Sequence, residues 1–235
     1  MSIKYISGGL LGDFIHQLSI INEIYIQTNK KGILYIANIG DQFRNGLEKT
    51  YNDLYEIVSI QEYIQEFKIY NGESYDYNLS EWRNYNGNHS NLIYVFKVLY
   101  NIEWGKHKWL SNIPKKPEWE NKIIINTVHY RFPDIEFFDS LKNIDLSNYI
   151  FVSCFKNEYH EFINKTNILI DYYSPSSLFE LCIILNSCKQ VIGSLSAVLS
   201  ISTALYTDCG YGLNKYIDMF YFYNLDSIPC IKYKI

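Results

Sequence analysis

The first 38 residues constrain the fold of this chain more than any other stretch. An apolar run, IKYIS at residues 3–7, leads into the glycine turn GGLLGD, and a helical apolar pattern follows over residues 13–28. The segment GILYIAN, residues 32–38, has the pattern of a second buried strand. Two buried strands joined through a helix build a parallel sheet that is covered by helices. The N-terminal segment therefore predicts an α/β fold.

The same alternation returns after a polar segment with two prolines. This segment, WLSNIPKKPEWENK at residues 109–122, contains Pro114 and Pro117 and is the best linker candidate. Four apolar strands follow it, KIIINTVHY, NYIFVSCF, NILIDYY and QVIGS, with the helices SPSSLFELCIILNSC and LSAVLSISTAL on either side of the last. We therefore predict two Rossmann-like parallel-sheet domains that face a cleft, residues 1–115 and residues 116–235.

The middle of the chain has weaker patterns. Residues 47–63 are helical in part, and residues 91–99 have a second helix-like apolar pattern. FKIYNG and YDYNLSEW are candidate short strands. We expect these elements to complete the N-terminal domain.

Composition, charge and cysteine usage exclude several classes of protein. The chain of 235 residues is 48% hydrophobic, and its net charge of −4 argues against a nucleic-acid-binding protein. It has neither a signal-peptide pattern nor an apolar run of the roughly 18 residues that span a bilayer. We therefore expect a cytoplasmic protein with no transmembrane segment. The cysteines share no C-x-x-C spacing, and we expect structural roles rather than metal or redox roles for Cys154, Cys182, Cys188, Cys209 and Cys230.

Ligands bind parallel α/β sheets at the turns that follow the strands, and the turn after the first strand is rich in glycine. A dinucleotide fingerprint would need a glycine at Ser7 and an acid near Asn38, so dinucleotide binding is disfavoured. The glycines instead keep side-chain bulk away from the turn and let another molecule approach its backbone. They are Gly8, Gly9 and Gly12.

Asp13 follows these glycines at the start of the predicted helix. A carboxylate beside an open turn suits a general base that acts on a hydroxyl group. The alternative is a structural role, because the helix dipole stabilises a carboxylate in the first helical turn. His16, one turn later, either assists Asp13 or hydrogen-bonds a backbone carbonyl group.

The stretch VHYRFPD, residues 128–134, ends the first strand after the linker. His129 and Arg131 alternate with Tyr130, so in an extended segment their side chains point the same way. An arginine at this place can bind a diphosphate through two parallel hydrogen bonds. The alternative is a surface arginine that pairs with Asp134.

The stretch GSLSAVLS, residues 193–200, is the third candidate turn. A glycine, small residues and hydroxyl groups before a helix provide backbone N–H groups for an anion. The alternative is an ordinary serine cap. We expect this turn and the end of the strand NYIFVSCF to bind the same anion as the arginine, through Ser153, Ser194, Leu195, Ser196 and Ala197.

These turns resemble those of glycosyltransferases with the GT-B fold. GGLLGDFIHQL resembles the start of the heptosyltransferase family, whose glycine turn carries an aspartate proposed as catalytic base, and that position is Asp13. His129, Arg131 and Asp134 match the H-x-R-x-x-D part of the α1,2-fucosyltransferase motif H-x-R-R-G-D, in which the arginine contacts the diphosphate of the GDP-sugar. Residues 176–205 are similar to the segment that closes around the donor nucleotide in both families.

The chain also departs from both families. Phe132 and Pro133 replace the second arginine and the glycine of the fucosyltransferase motif. Heptosyltransferases have D-S-G followed by a histidine where this chain has Leu195, Ser196, Ala197 and Ser200.

The resemblance implies a metal-independent glycosyltransferase that moves a sugar from a nucleotide-diphosphate sugar to a hydroxyl group of a glycan or glycoconjugate. It implies no cofactor, since the nucleotide sugar is a co-substrate, and it places the donor on the C-terminal domain and the acceptor near Asp13. Trp82 and Tyr85 are candidates to stack on sugar rings, although packing is the commoner role of such side chains. The alternatives are a nucleotide-sugar epimerase or hydrolase on the same fold, or a catalytically degenerate binding or scaffold protein. The oligomeric state is left open.

Overall fold

The computed structural model describes residues 2–40, 42–85, 92–104, 106–211 and 231–232. The chain divides into two compact units, Met1–Ile113 and Pro114–Ile235, here called unit 1 and unit 2. Within the described ranges, no helix has the length and apolar character that crossing a membrane requires.

The described residues of unit 1 form a parallel sheet of four strands in the order β3-β2-β1-β4, with three α-helices and one 3-10 helix. Every strand pair in it is parallel. Its elements are β1 (Ile3–Ser7), α1 (Leu11–Thr28), β2 (Gly32–Ile36), α2 (Leu47–Ser59), β3 (Ile64–Ile69), β4 (Tyr77–Asn78), a 3-10 helix (Glu81–Asn84) and α3 (Leu92–Tyr100).

Helix α1 is buried over most of its length, as its apolar residues on both sides predict. Phe14, Ile15 and Leu18 are almost completely buried, and so are Ile20 and Ile21. The helix ends at Asn29, which adopts a left-handed conformation (φ 55°) and donates its N–H to the carbonyl oxygen of residue 25. The predicted β1–α1–β2 unit is therefore confirmed.

The linker prediction for residues 109–122 is wrong in its first part. Trp109 and Leu110 are fully buried in unit 1. The indole N–H of Trp109 donates to the carbonyl oxygen of Ile15 (2.8 Å), and its own carbonyl accepts the hydroxyl of Tyr63 (2.6 Å). Burial of a large aromatic side chain outweighs the polar residues around it. The longest exposed run of this segment, residues 114–118, lies between the buried side chains of Ile113 and Trp119.

Unit 2 is a second parallel sheet, with six strands in the order β10-β9-β8-β5-β6-β7. The strand pairs among its described residues are all parallel. Its strands and α-helices are β5 (Ile123–Asn126), β6 (Tyr149–Val152), α4 (Lys156–Thr166), β7 (Asp171–Tyr173), α5 (Leu178–Ser187), β8 (Gln190–Gly193), α6 (Ala197–Ala204), β9 (Cys209–Tyr211) and β10 (Ile231–Lys232). The described part of unit 2 also contains three 3-10 helices, Pro117–Trp119, His129–Arg131 and Ile135–Asn143.

The prediction of an α/β chain with two parallel sheets is confirmed. The four predicted strands of the second half correspond to β5, β6, β7 and β8, and its two predicted helices to α5 and α6. Because β5, β6 and β8 are neighbours and parallel, their carboxyl ends lie at one edge of the sheet. This edge carries Asn126, Ser153 and Ser194 at or just beyond the strand ends.

Candidate functional site

The glycine turn between β1 and α1 is packed against its own unit at Gly8. A Cβ at Gly8 would collide with the carbonyl oxygen of Ala37 and would lie 2.9 Å from the amide nitrogen of Ile39. The N–H of Gly8 donates to the hydroxyl of Ser80 (3.1 Å), and its carbonyl accepts the side-chain amide of Gln17 (3.2 Å). The absence of a side chain at Gly8 therefore serves the packing of unit 1.

Asp13 forms an ion pair with Arg83, a residue that the sequence analysis did not select. One guanidinium nitrogen, Nη2, contacts the Oδ2 atom of Asp13. The same Oδ2 accepts the backbone N–H of Leu10 at 3.3 Å, so Asp13 also serves the amino end of α1. The side chain of Asp13 is 26% exposed and that of Arg83 is 20% exposed.

The space that the glycines leave open is filled by Arg83. Gly9 has a φ of +100°, and a Cβ there would collide with the guanidinium group. Gly40 has a φ of +76°, and a Cβ there would lie 3.0 Å from Cδ of Arg83. The expectation that these glycines leave the turn bare for another molecule is therefore wrong at Gly9. Gly12 lies in the first turn of α1.

His16 lies on α1 in an aromatic part of the core. Its side chain is buried, with ring centroids 5.3 Å from Trp104 and 6.5 Å from Trp109. Its backbone carbonyl accepts the indole N–H of Trp104 at 3.2 Å. Burial lowers the pKa of His16 to about 4, so the ring is neutral near pH 7. These surroundings favour a structural role for His16 over the predicted catalytic one.

Trp82, a candidate for sugar stacking, lies within the 3-10 helix that carries Arg83, and Tyr85, the other candidate, directly follows that helix. The ring of Trp82 packs edge-on against Phe96 (6.2 Å), and the guanidinium carbon of Arg83 lies 4.6 Å from its centroid. Tyr85 is partly buried and its N–H donates to the carbonyl of Trp82 (3.3 Å). Trp82 therefore supports the arginine from within unit 1.

In unit 2, Asn126 joins the carboxyl ends of three strands. Its side-chain amide donates to the carbonyl of Val152 at the end of β6 (3.0 Å). Its backbone carbonyl accepts the N–H of Ser194 after β8 (3.1 Å), and its Oδ1 accepts the hydroxyl of Ser196 (3.3 Å). Gly193 lies directly beside it, since a Cβ there would collide with the carbonyl oxygen of Asn126. Asn126 could have been selected from the sequence, because it is a polar residue at the end of the apolar run IIIN.

Arg131 and the turn before α6 meet, although not by the predicted geometry. Residues 129–131 form one turn of 3-10 helix, in which the N–H of Arg131 donates to the carbonyl of Val128 (3.1 Å). The prediction that His129 and Arg131 alternate in an extended segment is therefore wrong. Arg131 Nη1 donates to the carbonyl of Leu195 at 3.2 Å, and the N–H of Val128 donates to the hydroxyl of Ser194 at 3.1 Å.

The turn from β8 to α6 presents its backbone more than its side chains. The side chains of Ser194 and Leu195 are buried, whereas Ser196, the N-cap of α6, and Ala197 are partly exposed. Leu195 thus contributes its carbonyl group rather than its side chain. His129 is exposed, with its ring centroid 5.3 Å from that of Tyr130.

Ser153 is buried at the end of β6. Its hydroxyl donates to Glu158 (2.5 Å) and accepts the N–H of Phe155 (3.0 Å). Its carbonyl accepts the hydroxyl of Tyr172 at 2.9 Å. Ser153 therefore closes the β6–α4 turn through contacts of its own unit.

The described cysteines have no partner of their own kind. Cys182, Cys188 and Cys209 are buried, Cys154 is exposed, and none of these four forms a disulfide with another described cysteine. Burial raises the pKa of the Cys188 thiol to about 12, and that of Cys182 also lies far above its ordinary value. Cys230 lies outside the described residues. Among the residues with described positions, no group of three or more His, Cys, Asp or Glu side chains is suited to hold a metal ion.

No protein-family model and no curated protein matches this chain. Solved structures do. The chain is similar to E. coli heptosyltransferase WaaC with ADP, at a TM-score of 0.58 and 10% identity over 90% of this chain and 87% of that one. It is similar to E. coli ADP-heptose lps heptosyltransferase II, at a TM-score of 0.53 and 12% identity over 90% and 84%.

A family 9 glycosyl transferase from Veillonella parvula is also similar, at a TM-score of 0.51 and 9% identity over 89% of this chain and 80% of that one. Each likeness extends across both units. At such low identity, the similarity to these structures shows the fold only, and any inference about the reaction must come from the residues of this chain. The chain therefore has the α/β fold of the heptosyltransferases, as the glycine turn and the strand–helix pattern predicted.

Proposed function

We propose that the protein is a glycosyltransferase that moves a sugar from a nucleotide-diphosphate sugar to a hydroxyl group of a glycan or glycoconjugate. The donor is assigned to unit 2 and the acceptor to the surroundings of Asp13 in unit 1. Support comes from the shared fold, from the ADP bound in a similar structure and from the surroundings of Arg131. The predicted likeness to the fucosyltransferases stays a prediction.

The contact between Arg131 and Leu195 carries the proposal. The amino end of a helix is a centre of positive charge, and Leu195 lies two residues before the first residue of α6. A guanidinium group beside such an end gains stability when an anion lies between the two charges. A diphosphate supplies that anion, and Ser196 and Ala197 are partly exposed at the same end. These groups would neutralise the leaving diphosphate without a metal ion.

Asp13 is the proposed general base. The acceptor oxygen forms a bond to the anomeric carbon while the bond from that carbon to the diphosphate oxygen breaks, and its electron pair leaves with the diphosphate. The proton of the acceptor hydroxyl passes to the carboxylate of Asp13. His16 is left out of this step, because its pKa of about 4 and its burial against Trp104 suit a neutral core residue.

The first experiment is a thermal-shift screen of the protein against UDP-, GDP-, ADP-, CMP- and dTDP-sugars, followed by a transfer assay with the ligand that raises the melting temperature. A ligand that binds only the native state raises the melting temperature with its saturation. Arg131→Ala should remove both the shift and the transfer. Lys142→Ala, which removes an exposed cation of the same unit, is the matched control and should leave both unchanged.

Asp13→Asn separates binding from chemistry. The variant should bind the donor as the wild type does and should transfer no sugar, because an amide accepts no proton at neutral pH. Unchanged transfer would contradict the assignment of the base. Conversion of the donor with no acceptor present would instead indicate a hydrolase or an epimerase, and the absence of any nucleotide binding would indicate a scaffold protein.

A further inference from the structure

Arg83 is a charged side chain held inside unit 1 beside Asp13. Only 20% of it is exposed, and the two partners are 70 residues apart in the sequence. Removing two charges from water costs free energy, which the attraction between them repays only in good geometry. A partly buried ion pair therefore adds little to the stability of a fold. The ion pair of Arg83 with Asp13, the proposed base, suggests a role other than stabilisation.

Two separate loops are shaped to accommodate this arginine. Gly9 and Gly40 both have positive φ angles, +100° and +76°, and a Cβ at either would meet the side chain of Arg83. The loop that carries Arg83 is also fixed to the glycine turn, since the hydroxyl of Ser80 accepts the N–H of Gly8 at 3.1 Å. The ring of Trp82 lies 4.6 Å from the guanidinium carbon. Backbone and ring together restrict Arg83 to one place.

We infer that Arg83 is a positioning residue for Asp13, an inference that rests on the proposed function. Its Nη2 and the N–H of Leu10 both contact Oδ2 of the carboxylate. Holding this one oxygen fixes the plane of the carboxylate and the direction in which Oδ1 points. Arg83 keeps its own proton throughout, because a guanidinium group does not lose it in proteins. It therefore orients the base, takes no part in the proton transfer and does not bind the donor.

The test compares Arg83→Gln and Arg83→Lys with the wild type, and Arg44→Gln serves as the matched control in the same unit. A base that is displaced by about 1 Å loses roughly 100-fold in rate. Arg83→Gln should lower kcat by roughly 10- to 100-fold and leave the donor KM and the thermal shift by the donor within about twofold of the wild type. Arg83→Lys should recover part of kcat, because a point charge attracts Oδ2 without the planar geometry of the guanidinium group. Arg44→Gln should match the wild type.

Chemical rescue distinguishes positioning from a general loss of structure. In Arg83→Gly, added guanidinium chloride should restore part of kcat at concentrations where tetramethylammonium chloride does not, since only the planar donor can fill the space beside Asp13. Rescue by both salts, or by neither, would overturn the inference. A rise in the donor KM with kcat unchanged would also overturn it, because Arg83 would then bind the donor.

The failure of this inference and the failure of the proposed function give different results. If the wild type transfers sugar and Asp13→Asn does not, a wild-type kcat in Arg83→Gln overturns the positioning role alone. If the wild type transfers sugar from no donor, the proposed function has failed and the positioning role fails with it. Circular dichroism of each variant excludes misfolding as the cause of a lost rate.

Discussion

Gly193 lies against the carbonyl group of Asn126, its register partner in the neighbouring strand β5, so closely that a Cβ at Gly193 would collide with the carbonyl oxygen. Backbone on a neighbouring strand cannot yield as a flexible side chain does. The pairing of β8 with β5 at their carboxyl ends therefore requires a glycine at position 193. The proposed donor site begins at these strand ends.

Gly193→Ala should destabilise unit 2 by about 3 kcal/mol or more, because the strands must separate to admit the methyl group. Gly72→Ala is the control for conformational strain alone, since Gly72 has a φ of +90° and no atom within 4 Å of the added Cβ. That variant should cost about 1 kcal/mol. Urea unfolding of both variants measures the difference, and equal losses would contradict the collision at Gly193.

Trp109 is predicted to be a main stabilising residue of unit 1. It is fully buried, packs against Trp104 with ring centroids 5.4 Å apart, and donates a hydrogen bond to the carbonyl of Ile15. Trp109→Ala should destabilise unit 1 by about 3–5 kcal/mol. Trp109→Phe keeps most of the apolar contact and should cost about 1–3 kcal/mol, because it loses the indole hydrogen bond and leaves a small cavity. Urea unfolding measures both, and losses below about 1 kcal/mol would show that residues 109–113 are a linker.

The parallel sheets and most helices could be predicted because their causes are local. Apolar runs of β-branched residues mark β1, β5 and β8, and the glycine turn marks the junction of β1 and α1. Helix α4 was missed because its sequence is largely polar, with Phe162 and Thr166 as its buried side chains. The local pattern therefore predicted α1 and α5 and gave no sign of α4.

The site was harder to predict, because its decisive contacts join distant residues. Asp13 could be selected from its place after the glycines, but its partner Arg83 lies in a segment without a strong pattern. The 3-10 turn at residues 129–131 also escaped prediction, although Pro133 restricts the conformation of the residue before it and favours a turn nearby. Alternation of side chains holds only where the strand continues, and β5 ends at Asn126.

The buried ring of His16 should make the stability of unit 1 depend on pH. Its pKa is about 4 in the folded protein, below the ordinary value of 6.5 that applies to the unfolded chain, so the unfolded chain takes up the proton first as the pH falls. The free energy of unfolding should therefore decrease between pH 6.5 and pH 4, by on the order of 3 kcal/mol, and level off below. His16→Gln removes this titration. Urea unfolding of both proteins across the window tests it, and parallel pH profiles would contradict the buried neutral ring.

Glu180 should give unit 2 a pH dependence at lower pH. Its carboxylate accepts the N–H and hydroxyl of Ser176 (both 2.6 Å) and the hydroxyl of Tyr173 (2.7 Å) at the amino end of α5, and these bonds lower its pKa to about 2. The folded state therefore holds the ionised form, and the stabilisation is complete above pH 4.5 and is lost as the pH falls towards 2.

Glu180→Gln should cost about 1 kcal/mol at pH 7, because solvent screens the interactions of this partly exposed side chain. The difference from the wild type should shrink below pH 4.5 and close towards pH 2. Glu161→Gln is the matched control, since it removes only the exposed pair with Lys165 on α4 and should cost less than about 0.5 kcal/mol. Thermal unfolding of the three proteins at pH 7, 4 and 3 measures both effects. A difference at Glu180 that is as large at pH 3 as at pH 7 would mean that shape, and not the charged hydrogen bonds, holds the start of α5.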